Sequence, residues 1–281
     1  PDDESSKGAG TVARYSDEGV RSVLVCCTGG EAGDIHNPAM DRPDVRERLP
    51  EIRLEELARA ADIIGYAEVV MLGYRDSGMP KTPDNEDPRC FARADLDEAV
   101  GRLVATLRRH RPHVVITYPE NQEGYPHPDH LRVHDITLPA FDAAGDPDAY
   151  PDAGEPWQPL KLYYSMWSRA RILAIHDKML ELGLESPFDD RWFERLSHDE
   201  RITTRLDVSA WYDRRVEALL AHATQIDPKS PFWFGLPHDV ARDIHPWEEY
   251  LLARSLVDSE QPEEDLFAGI RTAVYDRRSL S

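Results

Sequence analysis

An α/β fold built on a mostly parallel sheet flanked by helices is predicted for this chain of 281 residues by three observations. Short apolar runs rich in β-branched residues alternate with longer stretches whose apolar residues recur at helical intervals. Polar clusters follow the runs directly. The chain is also long enough to bury a substantial core, and its composition, 41% hydrophobic and 31% charged, is that of a globular protein. Alternating strands and helices imply parallel βαβ units, so the sheet should be Rossmann-like, with ligands at the carboxyl edge of its strands.

The elements follow in order. Residues 4–19 predict a helix with Ala9, Val12, Ala13 and Tyr15 facing inward, and residues 21–28 a buried strand. Residues 44–65 carry Val45, Leu49, Ile52, Glu56, Ala60 and Ile63 at helical spacing, with Gly65 as a stop. Strand 67–72, amphipathic helix 94–110 and strand 113–118 complete the alternation. The loop Pro1-Asp2-Asp3-Glu4 reads as one that follows a strand, so a further strand is expected upstream of Pro1. Beyond Phe141 the pattern changes: 145–159 is a Pro/Asp/Gly-rich connection, 161–167 a strand, and 169–183 and 210–226 are helical, with aromatic residues scattered between. The expected organisation is therefore a Rossmann-like metal-binding catalytic part over 1–145, and a C-terminal α+β extension over 146–281 that packs on the same domain as a pocket wall.

Charge narrows the partners. The balance of 33 Lys+Arg against 53 Asp+Glu, a net charge of -20, disfavours nucleic acid and anionic membrane surfaces. No apolar stretch approaches the ~20 residues of a membrane span. The three cysteines, Cys26, Cys27 and Cys90, make no disulfide framework; they read as buried free thiols, in keeping with a reducing cytoplasm.

Four polar loops converge on one sheet edge: Asp2-Asp3-Glu4, Thr28-Gly29-Gly30-Glu31, Arg75-Asp76-Ser77-Gly78, and the stretch from Tyr125 to His130. Within the last, His127-Pro128-Asp129-His130 sets two histidines three apart, with a proline at a helix start and a carboxylate that can hold an imidazole tautomer. That combination points to a metal or acid/base site. Which of the adjacent carboxylates Asp2 and Asp3 would bind a metal is open on this reading. His222, on a helix with Leu219 and Leu220, reads as a hydrogen-bonded structural histidine.

Together, Pro1-Asp2-Asp3-Glu4 and His127-Pro128-Asp129-His130 resemble the paired signature of the PIG-L/LmbE-like deacetylase superfamily, whose first motif reads Ala-His-Pro-Asp-Asp-Glu. The segments Glu4-Ser5-Ser6-Lys7-Gly8, Asn37-Pro38-Ala39-Met40-Asp41-Arg42-Pro43, Leu72-Gly73-Tyr74-Arg75-Asp76-Ser77-Gly78-Met79 and Ala221-His222-Ala223-Thr224-Gln225 extend the match. They are similar in particular to the mycothiol S-conjugate amidases of actinobacteria. The resemblance implies one zinc ion per chain, held by Asp3, His130 and a histidine expected just before Pro1. It further implies Asp2 as general base on the attacking water, Tyr125 as hydrogen-bond donor to the oxyanion, and His127, oriented by Asp129, as its cationic partner or the acid for the leaving amine. Arg53 and Asp76 would contact the sugar, and Lys7 would distinguish conjugate amidases from the related deacetylases. The implied substrate is a small molecule, a mycothiol S-conjugate, cleaved in detoxification at its cysteinyl-glucosamine amide to a mercapturic acid and glucosaminyl-inositol. The alternatives are a deacetylase of N-acetylglucosaminyl-inositol, an amidase acting on a mycothiol-tagged antibiotic intermediate, and, from another class, a non-catalytic thiol-conjugate binding protein.

Overall fold

The computed structural model describes residues 1–120, 122 and 125–271. Short helix α1 (Asp3–Ser6) and helix α2 (Ala9–Asp17) precede strand β1 (Val23–Thr28). Then come α3 (Pro43–Glu47), α4 (Leu49–Ile64), β2 (Glu68–Tyr74), α5 (Pro83–Glu86), α6 (Leu96–His110), β3 (Val114–Thr117) and α7 (Pro128–Ala143). The second half contributes β4 (Lys161–Met166), α8 (Arg169–Glu181), α9 (Asp190–Glu194), β5 (Thr204–Asp207), α10 (Tyr212–Ala221), α11 (Pro231–Phe234), α12 (His238–Ile244) and β6 (Trp247–Ser255).

The strands form two sheets. Strands β1 and β2 pair in parallel, Val23 opposite Glu68. The second sheet has the order β3-β4-β6-β5, with β3 and β4 parallel and β6 antiparallel to both of its neighbours. The fold is thus α/β with parallel elements flanked by helices, as expected, but its sheet is divided and its later strands run antiparallel. The expected helix over 4–19 is broken in two at Gly8, whose φ of +95° is the left-handed conformation that glycine adopts at no steric cost. A second break, at Arg48, divides the expected helix over 44–65.

The largest apolar cluster, Leu72, Phe91, Val100, Leu103, Val104, Leu107, Ile136 and Ala140 among its members, fixes α6 and α7 against β2. Each fully buried Leu or Phe there contributes roughly 1.5–3 kcal/mol by leaving water. A smaller cluster of Ala9, Val12, Ala60, Ile64 and Ala218 joins α2, α4 and α10. Gly10 makes close approach possible at this end, because a Cβ there would stand 2.7 Å from Cβ of Val208.

Candidate active site

Helix α1 carries the acidic loop and is tied down by a buried pair. Oε1 of Glu4 lies 2.5 Å from Nε2 of His222, both side chains being almost wholly out of solvent. Glu4 also accepts from Oγ of Ser5 (2.7 Å) and from the backbone N–H of Asp2 (3.1 Å). His222 is thus a structural histidine, as read from the sequence, and it fixes the residues next to Asp2 and Asp3. Its neighbours serve the same end. Thr224 donates to Glu56 through its N–H (2.8 Å) and hydroxyl (2.6 Å), and Nε2 of Gln225 donates to the carbonyl of Pro1 (2.9 Å). The motif Ala221–Gln225 therefore braces α4 and the acidic loop from behind.

Asp2 has φ +87°, left-handed backbone that costs a non-glycine residue about 1–3 kcal/mol and must be held by its surroundings. Burial, and then the charge of Asp3, push its carboxyl up to about 6. Asp3 behaves in the opposite way. Burial works against its charge, but Lys7 and His130 outweigh burial and hold the carboxyl well below the usual range. Nζ of Lys7 lies 2.5 Å from Oδ1, while Oδ2 faces Nε2 of His130 at 3.2 Å. The ammonium of Lys7, the residue implied to distinguish conjugate amidases from deacetylases, thus sits on the carboxylate of Asp3.

Helix α7 presents the histidines. His127 is its N-cap and Pro128 its first residue. Nδ1 of His127 accepts the backbone N–H of Asp129 at 3.2 Å, one of the donors that a helix start leaves unpaired. Asp129 therefore orients His127 through its main chain rather than through its carboxylate, because that carboxylate points elsewhere and accepts the N–H of Ser77 (3.2 Å). Burial, only partly offset by this bond and reinforced by the charge of Asp76, pushes the Asp129 carboxyl up to about 7. Burial, then the neighbouring His130, lower the His127 pKa. These surroundings favour a neutral imidazole with its proton on Nε2, where a cation was expected. Tyr125 is the exposed member of the group, 58% accessible, with its ring 6.0 Å from that of His127 and 5.8 Å from that of His130.

Arg53 and Asp76 are brought to the same region but are buried, at 2% and 5% exposure, and are bonded to main chain. Arg53 donates to the carbonyls of Gly30 and Asp34, the latter at 2.8 Å. Asp76 accepts from the N–H groups of Gly78 (2.8 Å) and Ala32 (3.3 Å). Both hold the glycine loop and the loop after β2 in place. Tyr118 was not singled out from the sequence. Its ring stacks on His130 at 4.3 Å, and its hydroxyl lies 3.4 Å from Nε2. Its place one residue beyond β3, at the carboxyl edge, was the available signal.

A carboxylate oxygen and an imidazole nitrogen facing each other at 3.2 Å are a donor pair that suits zinc. Among the described residues no group of three His, Cys, Asp or Glu side chains could hold a metal. The histidine expected before Pro1 lies outside them. Cys26 and Cys27, on β1, are free and half-buried, and burial pushes the Cys26 thiol up to about 11, which makes it a poor nucleophile. Among the described residues no helix is long and apolar enough to cross a membrane.

Two carboxylates of opposed acidity, two adjacent imidazoles and an exposed phenol at one sheet edge are the equipment of a hydrolase. The model of the PIG-L family, GlcNAc-PI de-N-acetylase, matches residues 1–141. The chain is 46% identical to the mycothiol S-conjugate amidase of Streptomyces coelicolor, over 96% of this chain and 94% of that one. It is 39% identical to the 1D-myo-inositol 2-acetamido-2-deoxy-alpha-D-glucopyranoside deacetylase of Geodermatophilus obscurus, over 96% and 95%. Among solved structures, N,N'-diacetylchitobiose deacetylase from Pyrococcus horikoshii shares the fold with a TM-score of 0.61 at 16% identity, covering 90% of this chain and 80% of that chain. Fold and relatives define an enzyme that hydrolyses amide bonds. The chain belongs to the PIG-L family.

Proposed function

We propose that the protein is a zinc-dependent amidase that cleaves the cysteinyl-glucosamine amide of mycothiol S-conjugates, releasing a mercapturic acid and glucosaminyl-inositol. The observation that carries the metal site is the facing pair Asp3 Oδ2 and His130 Nε2, with Oδ1 of Asp3 turned to Lys7. Asp3 and His130 would hold the zinc. When bound, zinc polarises the amide carbonyl and lowers the pKa of a coordinated water from about 15.7 to about 7. Asp2, poised near 6, takes the proton of the attacking water. Tyr125 donates its hydroxyl to the oxyanion. His127, whose Nδ1 is occupied by the N–H of Asp129, donates a hydrogen bond from Nε2 to the oxyanion, and the proton that Asp2 takes from the water passes to the leaving amine. The 46% identity to a conjugate amidase against 39% to a deacetylase favours the larger acyl group. Deacetylation of N-acetylglucosaminyl-inositol is the second reading, and the same residues serve it.

Metal content and turnover measured together test these roles. Asp3→Ala and His130→Ala should release most of the zinc, whereas Asp2→Asn should keep it and lose at least about 100-fold in turnover. Equal zinc loss in all three variants would show that Asp2 is a ligand rather than the base.

A further inference from the structure

The C-terminal half holds a cleft that the hydrolytic chemistry does not use. It encloses about 850 Å³ with its open mouth included, between α8, α11, α12 and the start of β6. Its walls are aromatic: Trp167 stacks on Phe232 at 6.0 Å, and Phe232 meets Trp233 edge-on at 4.8 Å. Among the arginines that line it are Arg171 from α8 and Arg215 from α10. Arg171 lies over the ring of Trp167, 4.9 Å from its centroid. Arg215 is 9% exposed, and its Nε has no hydrogen-bond partner. Neither forms an ion pair among the described residues.

Glu248, the acidic residue of the lining, acts on both arginines by its charge but forms an ion pair with neither. Glu248 spends its oxygens on the N–H groups of Gly10 (3.1 Å) and Thr11 (2.8 Å), capping α2, and on the hydroxyl of Tyr250 (3.3 Å). Arg242, also in the lining, is paired with Asp243. Burial, and then Arg215, lower the Arg171 pKa to about 10; burial also lowers that of Arg215. Burying the charge of Arg215 without an ion pair is costly, and the half-buried guanidinium of Arg171 adds to that cost, which Glu248 offsets only from beyond ion-pair distance. An entering anion would relieve both, and the planar fork of arginine matches a carboxylate in two parallel hydrogen bonds.

The cleft also lies next to the hydrolytic site. A smaller cavity beside it is lined by Ser6, Lys7 and Gly8, and shares Trp167, Arg171 and Glu248 with it. Lys7 is the residue bonded to Asp3. Trp167, Arg171 and Glu248 are thus the common wall between the cleft and the residues beside Asp3.

We propose that this cleft is the subsite for the S-linked group of the substrate, and that it selects flat, aromatic groups bearing a carboxylate, which Arg171 and Arg215 bind while Trp167 and Phe232 cover the ring. The assignment of the ligand to the substrate's acyl end rests on the amidase reading; the anion site itself does not. Two experiments on the full chain keep them apart. Calorimetric titration with 2-naphthoate and its neutral isostere 2-naphthamide should show the carboxylate binding at least about 10-fold tighter, the scale of a charge-assisted hydrogen bond. Arg171→Met together with Arg215→Met should abolish that preference. Equal affinities in the unaltered protein, or a preference that survives the double variant, would overturn the site, and the first comparison needs no variant to fold. In turnover, a conjugate of a carboxylated aromatic thiol-adduct should exceed its neutral counterpart in kcat/KM by about 10-fold, with the ratio falling to about one in the double variant. A ratio near one in the unaltered protein would detach the cleft from the substrate. A protein that binds naphthoate through the arginines yet cleaves neither conjugate would refute the amidase reading and leave the anion site standing.

Discussion

His222→Ala should destabilise the protein and disable it through one buried contact. The imidazole meets Glu4 at 2.5 Å with both side chains out of water, so its removal leaves a carboxylate in the interior without its main partner. Breaking such a pair costs about 3–5 kcal/mol. Glu4 keeps the hydroxyl of Ser5 and the N–H of Asp2, which places the cost near the lower end, about 3 kcal/mol. For a chain of this size that is a fall in Tm of roughly 6–12 °C. Burial raises the Glu4 pKa but its bond to His222 lowers it further, so the net shift is downward. The stabilisation is therefore present at neutral pH and lost as pH falls through the carboxylate range. Helix α1 also loses its tie to α10, and a displacement of Asp2 and Asp3 by about 1 Å costs on the order of 100-fold in rate. Thermal unfolding and turnover of the single variants and of Glu4→Gln/His222→Ala form a double-mutant cycle, in which the double variant should recover part of the loss. A Tm within about 1–2 °C of the unaltered protein and undiminished turnover for His222→Ala would show that the Glu4–His222 pair does not hold the acidic loop.

Three further outcomes follow from the geometry. Lys7→Ala should weaken zinc retention by roughly 10–100-fold, because Lys7 orients the carboxylate of Asp3 from the side away from His130; a metal titration showing unchanged affinity with altered substrate preference would make Lys7 a substrate contact instead. His127→Ala should lower kcat by about 10²–10⁴-fold with zinc content intact, and a rate constant near that of the unaltered protein would make His127 a helix cap only. Lys161→Met should strand the buried Glu263, which Lys161 (2.5 Å), Tyr163 (2.5 Å) and Thr204 (2.9 Å) now hold. Urea unfolding should register a loss of about 3–5 kcal/mol at pH 7. That loss should shrink in acid, because the Glu263 pKa is lowered by these partners against its burial; a loss that grows as pH falls would contradict the linkage.

The first four strands were legible because each is a short apolar run bounded by polar loops, and α6 because its apolar face is sustained to His110. Strands β5 and β6 were not, since Arg205, Glu248 and Glu249 interrupt the alternation that marks a strand. Those charges are satisfied by residues distant in sequence: Glu248 caps α2, and Glu249 meets Arg205 at 3.0 Å. In the site, Asp2, Asp3, His127 and His130 stood out as local motifs. The parts that sequence reading missed depend on which atom faces which: Lys7 on Asp3, the main chain rather than the carboxylate of Asp129 on His127, and Tyr118 stacked on His130. Spacing along a chain carries no such information. Gly8 and Arg48 broke helices whose apolar periodicity runs on across both breaks, because φ at Gly8 and the turn at Arg48 answer to packing against distant elements.

The amidase reading is tested most directly by the relative specificity constants of the zinc-loaded protein for a bimane-labelled mycothiol conjugate and for N-acetylglucosaminyl-inositol, followed as fluorescent mercapturic acid and as acetate. The conjugate should be cleaved at the cysteinyl-glucosamine amide with kcat/KM at least about 10-fold above that for the acetylated sugar. Faster release of acetate, or no mercapturic acid from a protein that retains its zinc, would contradict the amidase reading.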